Sequence, residues 1–178
     1  GNTMGVGRPL RRDGRRCLPP AAPLAGPGDA AIDHWHTMAR AEHASVAAFE
    51  ELAEVLIGFG APADLVMAVR DAARDEAHHA EICFDEVTRM TGQRVLPGVV
   101  PSSNAAATDL RTLALQSLED GCFEETLGAV LAAELALRMP ATTKRSVLER
   151  IARDELGHAE LSFRIVAFCL EREPGLHP

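Results

Sequence analysis

Four long stretches of helical periodicity restrict what this chain of 178 residues can fold into. In each stretch apolar side chains recur every three or four positions, as they do on the buried face of an amphipathic α-helix. The predicted helices cover about 30–58, 62–91, 105–138 and 142–172. The composition agrees, because Ala, Leu and Glu are abundant and Tyr is absent, which favours helices over strands.

The breaks between these stretches predict how the helices are connected. The breaks after the first and the third predicted helices are short. The break between the second and third helices, at about 92–104, contains two prolines and two glycines and indicates a long crossover. Short connections join antiparallel neighbours, so we expect an all-α fold of two antiparallel helix pairs joined by that crossover. Residues 30–172 then form one domain, between a Pro-, Gly- and Arg-rich tail at 1–29 and a C-terminal tail at 173–178.

A sequence repeat in the second and fourth predicted helices contains candidate metal-binding residues. ARDEAHHAEICF returns as ARDELGHAELSF, with eight of twelve positions identical. Glu76 and His79 in the first copy, and Glu155 and His158 in the second, lie three residues apart on an apolar stripe, so each pair points into the bundle. His78 has a glycine in its place in the second copy, so His79 is the predicted ligand. An unpaired buried carboxylate costs several kcal/mol, so a compensating cation is expected.

The first and third predicted helices each add one carboxylate to a buried stripe. Glu42 falls on the stripe of the first helix. On the third helix, Glu125 lies between Cys122 and Ala129, on a stripe that also includes Leu118. Small side chains follow both glutamates and leave room for ions.

Together these positions predict a two-metal site. Two divalent ions would balance the charge of four carboxylates, and mixed oxygen and imidazole ligands suit iron or manganese better than structural zinc. The predicted metal ligands are Glu42, Glu76, His79, Glu125, Glu155 and His158.

With these motifs the chain resembles the ferritin-like di-iron-carboxylate superfamily over about residues 30–172, and in particular a group of bacterial ferritin-like domain proteins without an assigned substrate. The resemblance rests on Glu42, Asp75-Glu76-x-x-His79, Glu125 and Asp154-Glu155-x-x-His158. It implies a ferritin-like four-helix bundle with two iron ions, manganese being the alternative. It also implies that Asp75 hydrogen-bonds His158 and that Asp154 hydrogen-bonds His79, which would fix the orientation of each ring.

The function expected from this resemblance is an oxidoreductase that activates dioxygen or peroxide, with its catalytic residues unassigned. A ferroxidase or iron-storage protein, a tRNA-modifying hydroxylase and a di-manganese catalase-like enzyme stay open as alternatives. No C-x-x-C motif is present, so electrons would come from a separate donor protein. The expected small-molecule partner is a substrate or an oxygen species, and a homodimer is possible.

Charge and hydropathy restrict the expected partners and the expected location of the protein. The formal net charge of −8 argues against a nucleic-acid partner. No apolar run approaches the roughly 18 residues that a membrane span needs. The N-terminus lacks the apolar segment of a signal peptide, so a cytoplasmic location is expected, with a removed leader left open.

Several other side chains have an expected place. Cys83 and Cys122 fall beside the predicted ligands, where core filling is the simpler interpretation and a redox thiol the alternative. Phe84 and Phe163 occupy equivalent positions in the two repeats and are expected to wall the site. Trp35 is expected to anchor the core at the start of the first helix.

Overall fold

A computed structural model describes residues 7–12, 15–20, 29–101 and 106–176, with the side chain of Thr143 left aside. The rest of the expected N-terminal tail, part of the crossover and the last two residues lie outside the described residues. The helices are α1 (Ala30–Gly58), α2 (Ala63–Thr91), α3 (Leu110–Gln116), a π-helical segment (Ser117–Phe123), α4 (Glu124–Arg138), α5 (Thr143–Arg172) and a short 3-10 turn (Pro174–Leu176). Two short antiparallel strands, β1 (Arg11–Arg12) and β2 (Arg15–Arg16), precede them.

The molecule is an all-α bundle, as predicted. α1 packs along α2, α4 packs along α5, and α2 contacts α5. Ion pairs between Asp64 and Arg164 at one end, and between Glu86 and Lys144 at the other, show that α2 and α5 run antiparallel. None of the helices in the described part of the chain combines the length and apolar character needed to cross a membrane.

Local capping explains three of the helix ends. Asp29 begins α1 by accepting a hydrogen bond from the backbone N–H of Ala31 at 2.8 Å. Gly92 ends α2 in the left-handed region, with φ of 68°. Pro62, expected inside the first turn of the second helix, stands instead immediately before it. The third helix begins at Leu110 and not near 105, because Asp109 caps it by accepting from the backbone N–H of Thr112.

The third helical stretch differs from its prediction in the middle as well. The continuous helix expected from the apolar stripe is interrupted by the π-helical segment, whose i→i+5 hydrogen bonds accommodate extra residues per turn. The helix register therefore shifts: Ser117 is buried, while Leu118, expected on the buried stripe, is 41% exposed. Cys122 stays buried. Within this segment Gly121 packs so closely on α5 that a Cβ atom would overlap the side chain of Ser162.

Two apolar clusters fill the two ends of the bundle. One contains Phe49 and Leu56 of α1 together with residues such as Leu65, Leu113 and Ile165, and the other contains Trp35, Phe84 and Leu148. On every long helix the predicted metal ligands fall between the positions that enter one cluster and those that enter the other. The polar residues therefore form a layer across the middle of the bundle, with apolar packing on both sides.

The described part of the N-terminal tail packs against the bundle. Arg8 and Leu10 are buried, and Leu10 lies against Ala44 and Ala48 of α1. On its other side, Arg11 Nε donates to Asp120 Oδ1 of the π-helical segment at 2.9 Å. We call residues 7–12 the N-terminal segment. It lies in the seam between α1 and the third helical stretch, and nothing in its Gly-, Pro- and Arg-rich sequence indicated this packing.

Candidate metal centre

The polar layer brings all six predicted ligands together. Glu42, Glu76, His79, Glu125 and Glu155 are fully buried, and His158 nearly so. The side chains form two overlapping groups, and in each group one potential ligand atom per residue lies within 4.8 Å of the others. The groups are Glu42, Glu76, His79 and Glu155, and Glu76, Glu125, Glu155 and His158. Glu76 and Glu155 belong to both groups.

The donor atoms of this layer fit a metal because they lack other partners. Within the described residues, all eight oxygens of the four glutamates are buried and accept no hydrogen bond, and Nδ1 of both histidines is equally unpartnered. His79 Nδ1 lies 3.8 Å from Glu42 Oε2 and 3.7 Å from Glu155 Oε1, too far for a hydrogen bond. His158 Nδ1 lies 3.1 Å from Glu76 Oε1, but outside hydrogen-bonding geometry. Buried acceptors without donors are costly, and cations would satisfy them.

Electrostatics in the metal-free layer reflect the crowding of like charges. Burial, followed by the nearby carboxylates of Glu155 and Glu42, raises the pKa of Glu76 well above its ordinary value. Burial and the charge of Glu155 do the same to the pKa of Glu125. Without metal, these two carboxyl groups therefore hold their protons more tightly than exposed ones do.

The histidine side of the layer shows the opposite balance. Burial lowers the pKa of His79, but the carboxylates of Glu155, Glu42 and Asp154 outweigh this effect and raise it to about 11. Burial raises the pKa of Glu155, yet contacts with Glu125 and His79 and the charge of His158 leave it below its ordinary value. In the metal-free protein, the proton on His79 therefore balances part of the negative charge that cations would balance in a metal-bound protein.

Two aspartates stand behind the histidines. His79 Nε2 donates to Asp154 Oδ2 at 3.0 Å, which leaves its Nδ1 facing the carboxylates. Asp75 Oδ2 lies 3.6 Å from His158 Nε2, which is nearby but longer than a hydrogen bond. Each aspartate thus lies beside the histidine of the other repeat. Asp154 is within hydrogen-bonding distance of His79, whereas Asp75 is farther from His158 than a hydrogen bond allows.

The neighbours of the ligands take other roles. Nε2 of His78 lies 3.0 Å from Nη1 of Arg150, away from the polar layer, which agrees with the choice of His79. Glu124, next to Glu125, pairs with Arg16 of β2.

Two expectations for side chains near the layer have different outcomes. Cys83 and Cys122 are buried, and burial raises the pKa of both thiols, so core filling describes them better than a reactive thiolate. Phe84 is buried, with the ring of His43 edge-on at 6.4 Å. Phe163 is 56% exposed, so its predicted place in the wall of the site is wrong. It follows Ser162, the residue on which Gly121 packs, and is turned about 100° away from that contact.

The N-terminal segment reaches the polar layer, which the sequence analysis missed. Gly7 has a φ of 84°, and a Cβ atom on it would lie 2.5 Å from Ser45 Oγ, 3.0 Å from Glu76 Oε2 and 3.2 Å from Glu42 Oε2. Ser45 Oγ donates to the backbone oxygen of Arg8 at 2.8 Å. Ser45 was visible in the sequence as a small residue one turn after Glu42. Gly7 and Arg8 stand in a stretch without periodicity and had no such signal.

The fold and the site define this chain as a helical bundle with a buried carboxylate–histidine layer that could hold metal ions. Comparison of the chain with protein-family models, with curated proteins and with solved structures finds no match.

Proposed function

We propose that the polar layer binds two divalent metal ions within a ferritin-like four-helix bundle, with iron as the metal and manganese as the alternative. The observation that supports this most is the set of buried oxygen and nitrogen atoms without hydrogen-bond partners in the described part of the chain. Glu42 and His79 would hold one ion, and Glu125 and His158 the other. Glu76 and Glu155 would be shared.

We further propose that the protein is an oxidoreductase that activates dioxygen or peroxide. A pair of iron ions supplies the redox electrons that side chains cannot. The chain's own contribution is to supply four carboxylates that balance the ions, to orient His79 through Asp154 and to exclude water. Apolar clusters on both sides of the layer, with Gly7 against Glu42 and Glu76, support that last role. Electrons would arrive from a separate donor protein.

The position of the N-terminal segment also favours enzyme chemistry over iron storage. A storage protein must pass many ions through its ferroxidase site into a shell. Here the backbone of Gly7 lies directly against two of the proposed ligands. Such closure suits a site that retains its ions and admits a small partner.

Aerobic addition of ferrous iron to the full chain tests this proposal. We expect about two retained ions per chain, as the ligand groups imply, in a particle no larger than a small oligomer. The double variant Glu76→Gln/Glu155→Gln should retain almost none, whereas Glu160→Gln, an exposed position in the second repeat, should behave as the wild type. Retention of far more iron in a large cage would favour the storage alternative. Metal analysis of protein purified from its native host would then decide between iron and manganese.

A further inference from the structure

One buried cation lies beside the polar layer without belonging to the predicted ligand set. Arg8 is only 5% exposed, and its Nη1 is buried with no hydrogen-bond partner among the described residues. The guanidinium carbon lies 5.9 Å from the centre of the Phe49 ring. That ring meets His158 edge-on, with centroids 5.2 Å apart. A buried guanidinium is expensive unless it is paired, so a partner for Arg8 has to be identified.

The two carboxylates whose charges act most on Arg8 are engaged elsewhere. Asp120 accepts hydrogen bonds from Arg11 Nε at 2.9 and 3.0 Å. Glu125 is one of the proposed metal ligands. Burial lowers the pKa of Arg8, and the charges of Asp120 and Glu125 are the main effects that oppose it. With Glu125 engaged by metal and Asp120 paired with Arg11, the buried Nη1 of Arg8 is left without a counter-ion among the described residues.

A small cavity adjoins this arginine. Its volume is about 40 Å³, and it lies in the seam that the N-terminal segment closes. The lining includes Arg8, Leu10, Glu51, Leu52, Gln116 and Asp120. One water needs roughly 10–15 Å³ of such space, so the cavity admits only a ligand of a few heavy atoms. Its wall is partly apolar and contains the arginine with the unpartnered nitrogen.

We propose that this seam binds a compact monoanion of the carboxylate class, held by the guanidinium of Arg8 next to the metal centre. The inference deepens the proposed function and rests on it, because Glu125 is engaged by metal only when ions occupy the layer. The planar guanidinium matches a carboxylate with two parallel N–H donors. The small-molecule partner of the metal centre is accordingly a short carboxylic acid anion.

Formate, the smallest carboxylate, is the probe for the test. The full chain is loaded with Co²⁺, the bound metal is counted, and formate is titrated calorimetrically. We expect saturable binding to the wild type. Arg8→Gln should weaken it by about 10- to 100-fold, as loss of a charged hydrogen-bond donor does. Arg8→Lys should recover part of the affinity. Arg12→Gln removes an exposed arginine from the same segment and should leave the affinity unchanged.

A second variant keeps the test decisive if Arg8→Gln does not fold. Ala48→Val places two extra methyl groups in the cavity wall and retains Arg8, so it should also weaken formate binding. Equal formate affinity in wild type and in a folded Arg8→Gln or Ala48→Val variant would overturn the anion site. Absence of formate binding to the Co²⁺-loaded wild type would do the same. Either result would leave the metal proposal intact. Failure of the wild type to bind about two Co²⁺ ions would instead refute the metal proposal, and the anion site with it.

Discussion

The hydrogen bond between His79 and Asp154 is the contact through which a single residue can control the proposed site. Its Nε2–Oδ2 distance is 3.0 Å, whereas the matching contact between His158 and Asp75 measures 3.6 Å. Partners of this kind fix the tautomer and orientation of a ligand histidine. The difference in distance makes the two aspartates unequal, although the sequence repeat treats them alike.

We therefore expect Asp154→Asn to lower the affinity for Co²⁺ by about 10- to 100-fold while the helical content stays that of the wild type. Asp75→Asn serves as the matched variant and should have the smaller effect. Competition against a chelator of known affinity measures both values. Unchanged affinity in Asp154→Asn would contradict the role of this aspartate.

The raised pKa values of the polar layer predict how the stability of the metal-free protein depends on pH. Glu76 and Glu125 keep their protons above the ordinary carboxyl pKa of 4.5, and the pKa of His79 rises from 6.5 to about 11. In all three cases the unfolded chain releases its proton at a lower pH than the folded chain. The stability these groups contribute is complete below their unfolded pKa values and is lost as the pH rises through the folded ones. Glu155, whose pKa is lowered, acts in the opposite sense only on the acid side of 4.5.

The free energy of unfolding of the metal-free protein should therefore fall as the pH is raised from about 5 to 9. Urea unfolding in the presence of a chelator measures this trend. Glu76→Gln removes one of the titrating groups and should make the fall shallower, whereas Glu160→Gln should not. If stability rose with pH in that window, protonation of the layer would be ruled out as its main electrostatic feature.

The candidate site could be predicted from the sequence as far as helical periodicity reaches. Glu42 and Glu125 were found because each lies on a buried stripe, and the repeat distinguished His79 from His78. Arg8 and Gly7 could not be found in this way. They reach the layer through an irregular segment, and their burial depends on a contact with Ser45 that no local pattern specifies.

Among the elements, the π-helical segment depends most on one close contact. Gly121 sits where any Cβ would overlap Ser162 Oγ and Cβ, and Arg8 Nη1 would lie 3.0 Å from that atom. This approach holds the segment against α5 beside His158. The apolar residues of the third stretch also fit the spacing of a continuous α-helix, so the pattern did not reveal the π turn. The sequence therefore predicted a continuous helix and placed Leu118 wrongly.

Gly121→Ala should reduce the free energy of unfolding by about 1–3 kcal/mol, the usual cost of overpacking a core. Gly157→Ala is the matched control, because no atom in the described part of the chain lies within 4 Å of the added Cβ. In the middle of α5 it should be neutral or stabilising by up to about 1 kcal/mol, since Ala has the higher helix propensity. Urea unfolding of both variants gives the comparison. Equal stability of the two would show that the segment relaxes away from Ser162.

At the scale of the whole molecule, loop lengths predicted the connectivity well, since two short turns and one long connection join the long helical stretches. What they could not predict is how the seam between α1 and the third stretch closes. The N-terminal segment fills it through Leu10 on one side and Arg11 on the other. Tertiary contacts of this kind depend on the finished arrangement of the helices and leave no periodic trace.

Gly7→Ala tests this closure. The left-handed backbone alone should cost about 1–2 kcal/mol of stability, and the added methyl group would also press on Glu42 and Glu76. Gly60→Ala is the control: its φ is 70°, and among the described residues only Arg172 lies near the added Cβ, at 3.6 Å. We expect both variants to lose stability, but only Gly7→Ala to lose affinity for Co²⁺. Equal metal binding by the two would mean that the segment does not confine the ligands.

The contact between Arg11 and Asp120 joins positions 109 residues apart, and this has a consequence for how the protein acquires its ions during synthesis. The N-terminal segment packs into a seam that exists only once α1 and the third stretch have come together. Because it docks on the finished seam, we expect an interval in which the four glutamates are assembled but unsealed. Ions would enter during that interval and be trapped afterwards. Metal supplied during translation should therefore be incorporated faster than metal offered to the finished, metal-free protein.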